Sequence, residues 1–184
     1  MTHPTSSPAG PLDGPPVGPP VGPPVGPLGV GELAPVFALR NQYGETVSLQ
    51  DFRGEKNVLV VFFPFAFSGV CTGEFREIRE HLEDFEGDDV QVVGISCDPM
   101  ESIRAWADSE AYFFPLLSDF WPHGRTARDY GVFWEQTGFA IRGTFLVDKA
   151  GVIRWTLVNG PGEARDFSGY RTALAELRGT TASV

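Results

Sequence analysis

Residues 57–63, "NVLVVFF", are continuously apolar after Asn57 and rich in β-branched side chains, and Pro64 stops the run. A strand with one face in water alternates apolar and polar residues. A strand that is apolar at every position has both faces covered, as at the centre of an α/β sheet. Proline lacks the N–H that a central ladder needs, so the strand ends at Phe63. The longer run "VLVVFFPFAF" (58–67) is too short for a membrane-spanning helix, which needs roughly 20 apolar residues. It is read as a buried core element.

The rest of the chain supplies the layers. "VFALRNQYGETVSL" (36–49) predicts two short strands around a Tyr43-Gly44 turn. After Cys71, apolar residues at Phe75, Ile78, Leu82 and Phe85 keep helical spacing, and Gly87 is the expected stop. "VQVVGIS" (90–96) predicts a second buried strand. "SIRAWADSE" (102–110) predicts a helix with Ile103, Trp106 and Ala107 on its apolar face. "TFLVD" and "VIRWTLV" flank the "KAG" turn as a hairpin, and "SGYRTALAELRG" predicts a last helix carrying Tyr170, Leu174 and Leu177. Strand–helix–strand–helix, then a hairpin and a helix, is the thioredoxin-like arrangement: an α/β fold with a central mixed sheet flanked by helices.

Residues 1–29 differ in kind. "GPPVGPPVGPPVG" repeats every four residues, which excludes the three-residue period of collagen. Such a tract has too little apolar surface to offset its ordering entropy and is expected to be a disordered, polyproline-like tail. Its "PVGP" fits a PxxP ligand pattern, with an extended spacer as the plainer reading. Residues 30–184 suit one domain. The formal net charge of −10 disfavours polyanionic partners, so neither nucleic acid nor an anionic membrane is expected. "MTHPTSSPAG" has neither a positive n-region nor an apolar h-region, so no secretory signal is expected. Two cysteines, Cys71 and Cys97, make no disulfide framework, which reads as a cytoplasmic protein with free or catalytic thiols. His3, His81 and His123 are scattered, and no metal site is expected.

"PFAFSGVC" (64–71) carries the chemistry. The strand ends before Pro64, a short loop follows, and a helix starts near Thr72, which puts Cys71 in its first turn. Unpaired backbone N–H groups and the helix dipole stabilise an anion there, and the thiolate is the nucleophilic form of cysteine. Ser68 lies three residues earlier, where its hydroxyl reaches a sulfur anion or a bound oxygen. A buried, inert cysteine is the competing reading, disfavoured by the Pro, Ser and Gly that precede it. With no second cysteine in the same turn, a thioredoxin-type dithiol exchanger is excluded.

These residues match the P-x-x-x-[TS]-x-x-C signature of peroxiredoxins, and "SDFWPHG" (118–124) and "RGTFLVD" (142–148) follow in that family's order and spacing. Over about residues 30–178 the chain resembles the AhpE-type, one-cysteine peroxiredoxins of the alkyl hydroperoxide reductase/thiol-specific antioxidant (AhpC/TSA) superfamily. The resemblance implies that Cys71 is the peroxidatic cysteine, shielded by Pro64. It implies that Arg142 is the active-site arginine and that Glu74, at the C-x-x-E position, orients it. Ser68 stands where the family usually has threonine, keeping the hydroxyl and losing the methyl that restrains its rotamer. Ser68, the backbone at Val70 and Cys71, and Arg142 are expected to bind the peroxide, and Cys71 to become a sulfenic acid that a thiol reduces. Phe120, Trp121, Phe133 and Trp134 are either core or, as the family suggests, part of an active-site rim and the interface of a homodimer.

The expected substrates are hydrogen peroxide and organic hydroperoxides. The expected reductant is a low-molecular-weight thiol or a glutaredoxin-like (mycoredoxin-like) protein, with no cofactor. Cys97 matches none of the family's usual resolving positions and is read as a buried, non-resolving thiol. Two alternatives stand beside this reading. One is a two-cysteine enzyme whose Cys71–Cys97 disulfide is reduced by a thioredoxin-like protein. The other is a non-catalytic thioredoxin-fold binding module served by the tail.

Overall fold

The computed structural model describes residues 26–85, 89–160 and 162–181. Most of the Pro/Gly-rich repeat and the expected helix stop at Gly87 lie outside them. Among the described residues seven strands form one mixed sheet. They are β1 (Ala38–Asn41), β2 (Thr46–Ser48), β3 (Asn57–Phe62), β4 (Val90–Ser96), β5 (Leu116–Ser118), β8 (Arg142–Val147) and β9 (Ile153–Asn159), in the order β2-β1-β5-β4-β3-β8-β9. β6 (Phe133–Trp134) and β7 (Phe139–Ala140) make a separate small hairpin. The helices are α1 (Gly69–Glu80), α2 (Leu82–Phe85), α3 (Met100–Glu110), α4 (Arg125–Asp129) and α5 (Ser168–Thr181). None of them is long and apolar enough to cross a membrane.

β3 is central, as its composition demands. It pairs parallel with β4 and antiparallel with β8, and all six of its residues are buried. Alternation divides them between two cores. Leu59 and Val61, with Phe63 just beyond, pack with Cys71, Phe75, Trp106 and Tyr170 of the α1, α3 and α5 layer. Val58, Val60 and Phe62 face Leu49, Ala127 and Tyr130 on the opposite side. Each such Val, Leu or Phe contributes about 1.5–3 kcal/mol of transfer free energy, which is why the run cannot stand at an edge.

α1 is held tightly to this sheet. A Cβ on Gly94 of β4 would lie 2.6 Å from Leu116 Cδ2 and 2.8 Å from Phe75 Cε1, so the absence of a side chain there lets the helix sit close. Trp106 Nε1 donates to Thr72 Oγ1 at 3.3 Å, and the Tyr112 hydroxyl donates to the Thr72 carbonyl at 3.2 Å. These two bonds pin the first turn of α1 to the α3 layer.

Several expectations are corrected. The helix starts at Gly69 rather than Thr72, with Ser68 as its N-cap residue, and it breaks at His81 before the four-residue α2. β5, α4 and the β6–β7 hairpin were not foreseen, because each is too short to show a period. Leu28, inside the stretch read as tail, packs against the second core, and its N–H donates to the Tyr130 carbonyl at 3.4 Å.

Candidate active site

The strand-to-helix junction builds the site. The Phe63 N–H makes the last ladder bond, to the Ile95 carbonyl at 3.0 Å, and buried Pro64 then turns the chain out of the sheet. The loop passes through Phe67, which holds a left-handed φ of 63°, and enters α1 at Ser68. The first backbone bond of the helix runs from the Thr72 N–H to the Ser68 carbonyl at 2.8 Å. The N–H groups of Val70 and Cys71 therefore precede any intrahelical acceptor and point at the cysteine end of the dipole. The Ser68 hydroxyl makes no capping bond and is half-buried, and Val70 is exposed at the rim. Cys71 is fully buried.

Arg142 reaches this sulfur from β8. Its Nη1 donates to Cys71 Sγ at 3.3 Å and to Glu74 Oε2 at 2.6 Å. Glu74 stands one helical turn after Cys71, on the same face. Cys71, Glu74 and Arg142, named from the sequence, thus meet in one buried cluster, with the Ser68 and Val70 backbone above them.

A fourth member was missed. The Arg165 backbone N–H donates to Glu74 Oε1 at 2.8 Å, its Nη1 to Glu74 Oε2 at 2.7 Å, and its Nη2 to the Phe62 carbonyl. Burial pulls its guanidinium down to about 10, while Glu74 acts the other way, so it remains a cation at neutral pH. Arg165 follows β9 in a segment without periodicity, and nothing in its spacing marks it. Within the cluster two guanidiniums face one carboxylate, which leaves a positive charge that a sulfur anion at position 71 offsets.

Cys97 lies elsewhere. It follows β4 directly and, by alternation from Val93 and Ile95, faces the layer opposite to that of Cys71. Burial pushes its thiol up to about 12, the Asp119 carboxylate acts in the same direction, and a hydrogen bond with the Ala140 backbone opposes them. Both cysteines are free. Cys97 thus follows the same end of the β3–β4 pair as the cysteine loop but on the opposite layer, in keeping with its reading as a buried thiol.

The other sequence motif is structural as well as positional. The Asp119 carboxylate accepts from the N–H groups of Thr126 and Ala127 at 3.2 and 2.9 Å, tying the "SDFWPHG" segment to α4. Of its aromatic neighbours, Phe133 packs partly in the second core, whereas Phe120, Trp121 and Trp134 are exposed. The Phe65 ring meets Phe139 at 4.6 Å and Phe139 meets Trp134 at 5.6 Å, so an apolar band runs beside the cysteine loop.

Comparison with known proteins gives the family and the fold. Residues 30–156 match the model of the AhpC/TSA family. The chain is 51% identical over 150 residues to alkyl hydroperoxide reductase E of Mycobacterium tuberculosis, covering 82% of this chain and 98% of that protein. It is 32% identical over 159 residues to a chloroplastic 2-Cys peroxiredoxin of Hordeum vulgare, covering 81% and 75% respectively. Among solved structures, it is similar to peroxidoxin BcpB from M. tuberculosis, with a TM-score of 0.70, 27% identity, and coverage of 82% of this chain and 96% of that one. It is also similar to the reduced 2-Cys peroxiredoxin of Plasmodium vivax, with a TM-score of 0.75, 25% identity, and coverage of 85% and 86%.

Proposed function

The chain belongs to the AhpC/TSA family and is a thiol-dependent peroxidase of the alkyl hydroperoxide reductase E type; from that premise we propose that Cys71 is its peroxidatic cysteine and Arg142 the cation that activates it. The observation that carries this reading is the single Arg142 nitrogen that bonds both Cys71 Sγ and Glu74 Oε2. Membership of a peroxidase family removes the non-catalytic module from consideration.

In the proposed reaction the Cys71 sulfur anion attacks the terminal OH oxygen of the hydroperoxide. A sulfur–oxygen bond forms, the O–O bond breaks, and the electron pair leaves with the alkoxide or hydroxide, which takes a proton from water. Cys71 becomes a sulfenic acid. Charge moves from sulfur across both oxygens, and the fixed donors lie along that path. Arg142 sits at the sulfur, and the N–H groups of Val70 and Cys71 and the free Ser68 hydroxyl lie beside it. Pro64 shields the sulfur from bulk water. Glu74, with Arg165 behind it, sets the position of Arg142.

An external thiol then condenses with the sulfenic acid, releasing water and forming a mixed disulfide, and a second thiol frees Cys71. The position of Cys97 on the opposite layer, with its thiol pushed up to about 12, supports a reductant from outside, a small thiol or a glutaredoxin-like protein. Intact mass spectrometry after one equivalent of hydroperoxide tests this. A sulfenic acid is about 16 Da heavier than the thiol, whereas a Cys71–Cys97 disulfide is about 2 Da lighter and favours the two-cysteine reading. The apolar band of Phe65, Trp134 and Phe139 supports a homodimer formed through this rim. Light scattering of wild type and Trp134→Glu checks it, a monomeric wild type being the contrary result.

A further inference from the structure

A hydrogen bond from outside tethers the loop that carries the site. Among the described residues, a single hydrogen bond joins residues 64–67 to a segment outside the loop and its helix, and it runs from the Ala66 N–H to Asp98 Oδ2 at 2.8 Å. The two residues are 32 positions apart. Asp98 is itself fixed at several points. Its Oδ2 accepts from the Ser96 hydroxyl at 2.9 Å, its N–H donates to Ser96 Oγ at 3.2 Å, and its carbonyl accepts from the Ser118 hydroxyl at 2.6 Å. Asp98 is thus anchored to the end of β4 through its carboxylate and to β5 through its carbonyl, in the middle of the sheet.

Beyond Ala66 the chain enters Phe67 with its φ of 63°, a conformation that an aromatic L-residue does not adopt unaided. Ser68, Val70 and Cys71 follow at once. A turn in that conformation persists only where its surroundings hold it, and the Ala66 bond is immediately upstream. Burial raises the Asp98 carboxyl above its ordinary value, while the Ala66 amide and the Ser96 hydroxyl oppose that rise. A charged acceptor kept in such a place forms a stronger bond than a neutral one.

We propose that Asp98 is a positioning residue of the peroxidase reaction: its carboxylate holds the Ala66 amide and thereby fixes the strained Phe67 turn that aims Ser68 and the first N–H groups of α1 at a peroxide lying against Cys71. This inference rests on the function proposed above.

The experiment compares wild type, Asp98→Ala, Asp98→Asn and the double variant Asp98→Ala/Phe67→Gly. Two rates at Cys71 are read, oxidation by hydrogen peroxide in stopped flow and alkylation by iodoacetamide. The alkylating agent needs the sulfur but none of the peroxide-binding donors. Asp98→Ala is expected to slow oxidation by about 10²-fold, as a misplacement of about 1 Å does, with alkylation unchanged or faster. Asparagine keeps an acceptor for the Ala66 amide and is expected to recover most of the loss. Glycine at position 67 adopts the left-handed turn without strain and is expected to recover part of it in the double variant. Wild-type oxidation in Asp98→Ala, an equal fall with both reagents, an asparagine variant no better than alanine, or a double variant with no recovery would each overturn the assignment. A wild-type protein that reacts with peroxide no faster than free cysteine overturns the proposed function instead.

Discussion

Arg142 Nη1 lies 3.3 Å from Cys71 Sγ although the two residues are 71 positions apart in the chain. The antiparallel pairing of β8 with β3 brings them together, because it sets Arg142 beside the point where β3 ends and α1 begins. The same nitrogen is held by Glu74 at 2.6 Å. The contact to sulfur is therefore preformed, and its cost was met in folding.

Removal of that nitrogen tests it most directly. Arg142→Ala is expected to slow oxidation of Cys71 by peroxide about 10²- to 10³-fold, the usual loss for one preorganised transition-state donor. Stopped-flow fluorescence or competition kinetics reads the rate. A rate within twofold of wild type places the arginine outside the chemistry.

Arg165 predicts a different balance. Arg165→Met leaves Glu74 buried with one guanidinium instead of two and removes a donor from the Phe62 carbonyl. The expected loss of stability is about 3 kcal/mol, as for other buried ion pairs that lose a partner. Oxidation is expected to slow less than in Arg142→Ala, because Arg165 hydrogen-bonds Glu74 and acts on the sulfur only through space. Chemical denaturation together with the peroxide rate decides; an unchanged stability with a rate as low as that of Arg142→Ala contradicts the account.

The two thiols are expected to part company. Iodoacetamide near neutral pH should label Cys71 and spare Cys97, whose thiol burial pushes up to about 12. Cys71→Ser should abolish peroxide reduction, since a serine hydroxyl is a poor nucleophile without a base. Cys97→Ser should keep both the first oxidation and turnover with a small thiol. Loss of turnover in Cys97→Ser, with a Cys71–Cys97 disulfide in the wild type, reverses the assignment of reductant.

Asp98 also gives a pH dependence whose sign is fixed. Burial raises its carboxyl above the ordinary 3.8, so the native state binds this proton more readily than the unfolded chain does. The stability owed to this group falls as pH rises from 3.8 through the raised value. Asp98→Asn has no such titration. The melting temperature of the variant minus that of wild type should grow over that rise and level off above it, because other titrating groups cancel in the difference. Calorimetry across a pH series reads it, and a difference that shrinks with rising pH contradicts the sign.

The sequence alone determined the centre of the fold and the reactive atom. "NVLVVFF" had to be a doubly covered strand because every residue after Asn57 is apolar, and Pro64 had to end it because it cannot donate to a ladder. Cys71 had to open a helix because the apolar period begins just after it. These are local properties, written in consecutive residues. Arg165, Asp98 and the facing of Cys97 were decided only by the tertiary structure. Arg165 becomes a partner of Glu74 only when the chain beyond β9 returns to α1, 91 positions away. Asp98 becomes a tether only when the parallel pairing of β3 and β4 sets their ends side by side. Cys97 turns from Cys71 because register assigns alternate residues to opposite layers, and register belongs to the whole sheet. Long-range polar contacts leave no period in a sequence, since the groups that satisfy them meet only after the apolar layers have packed.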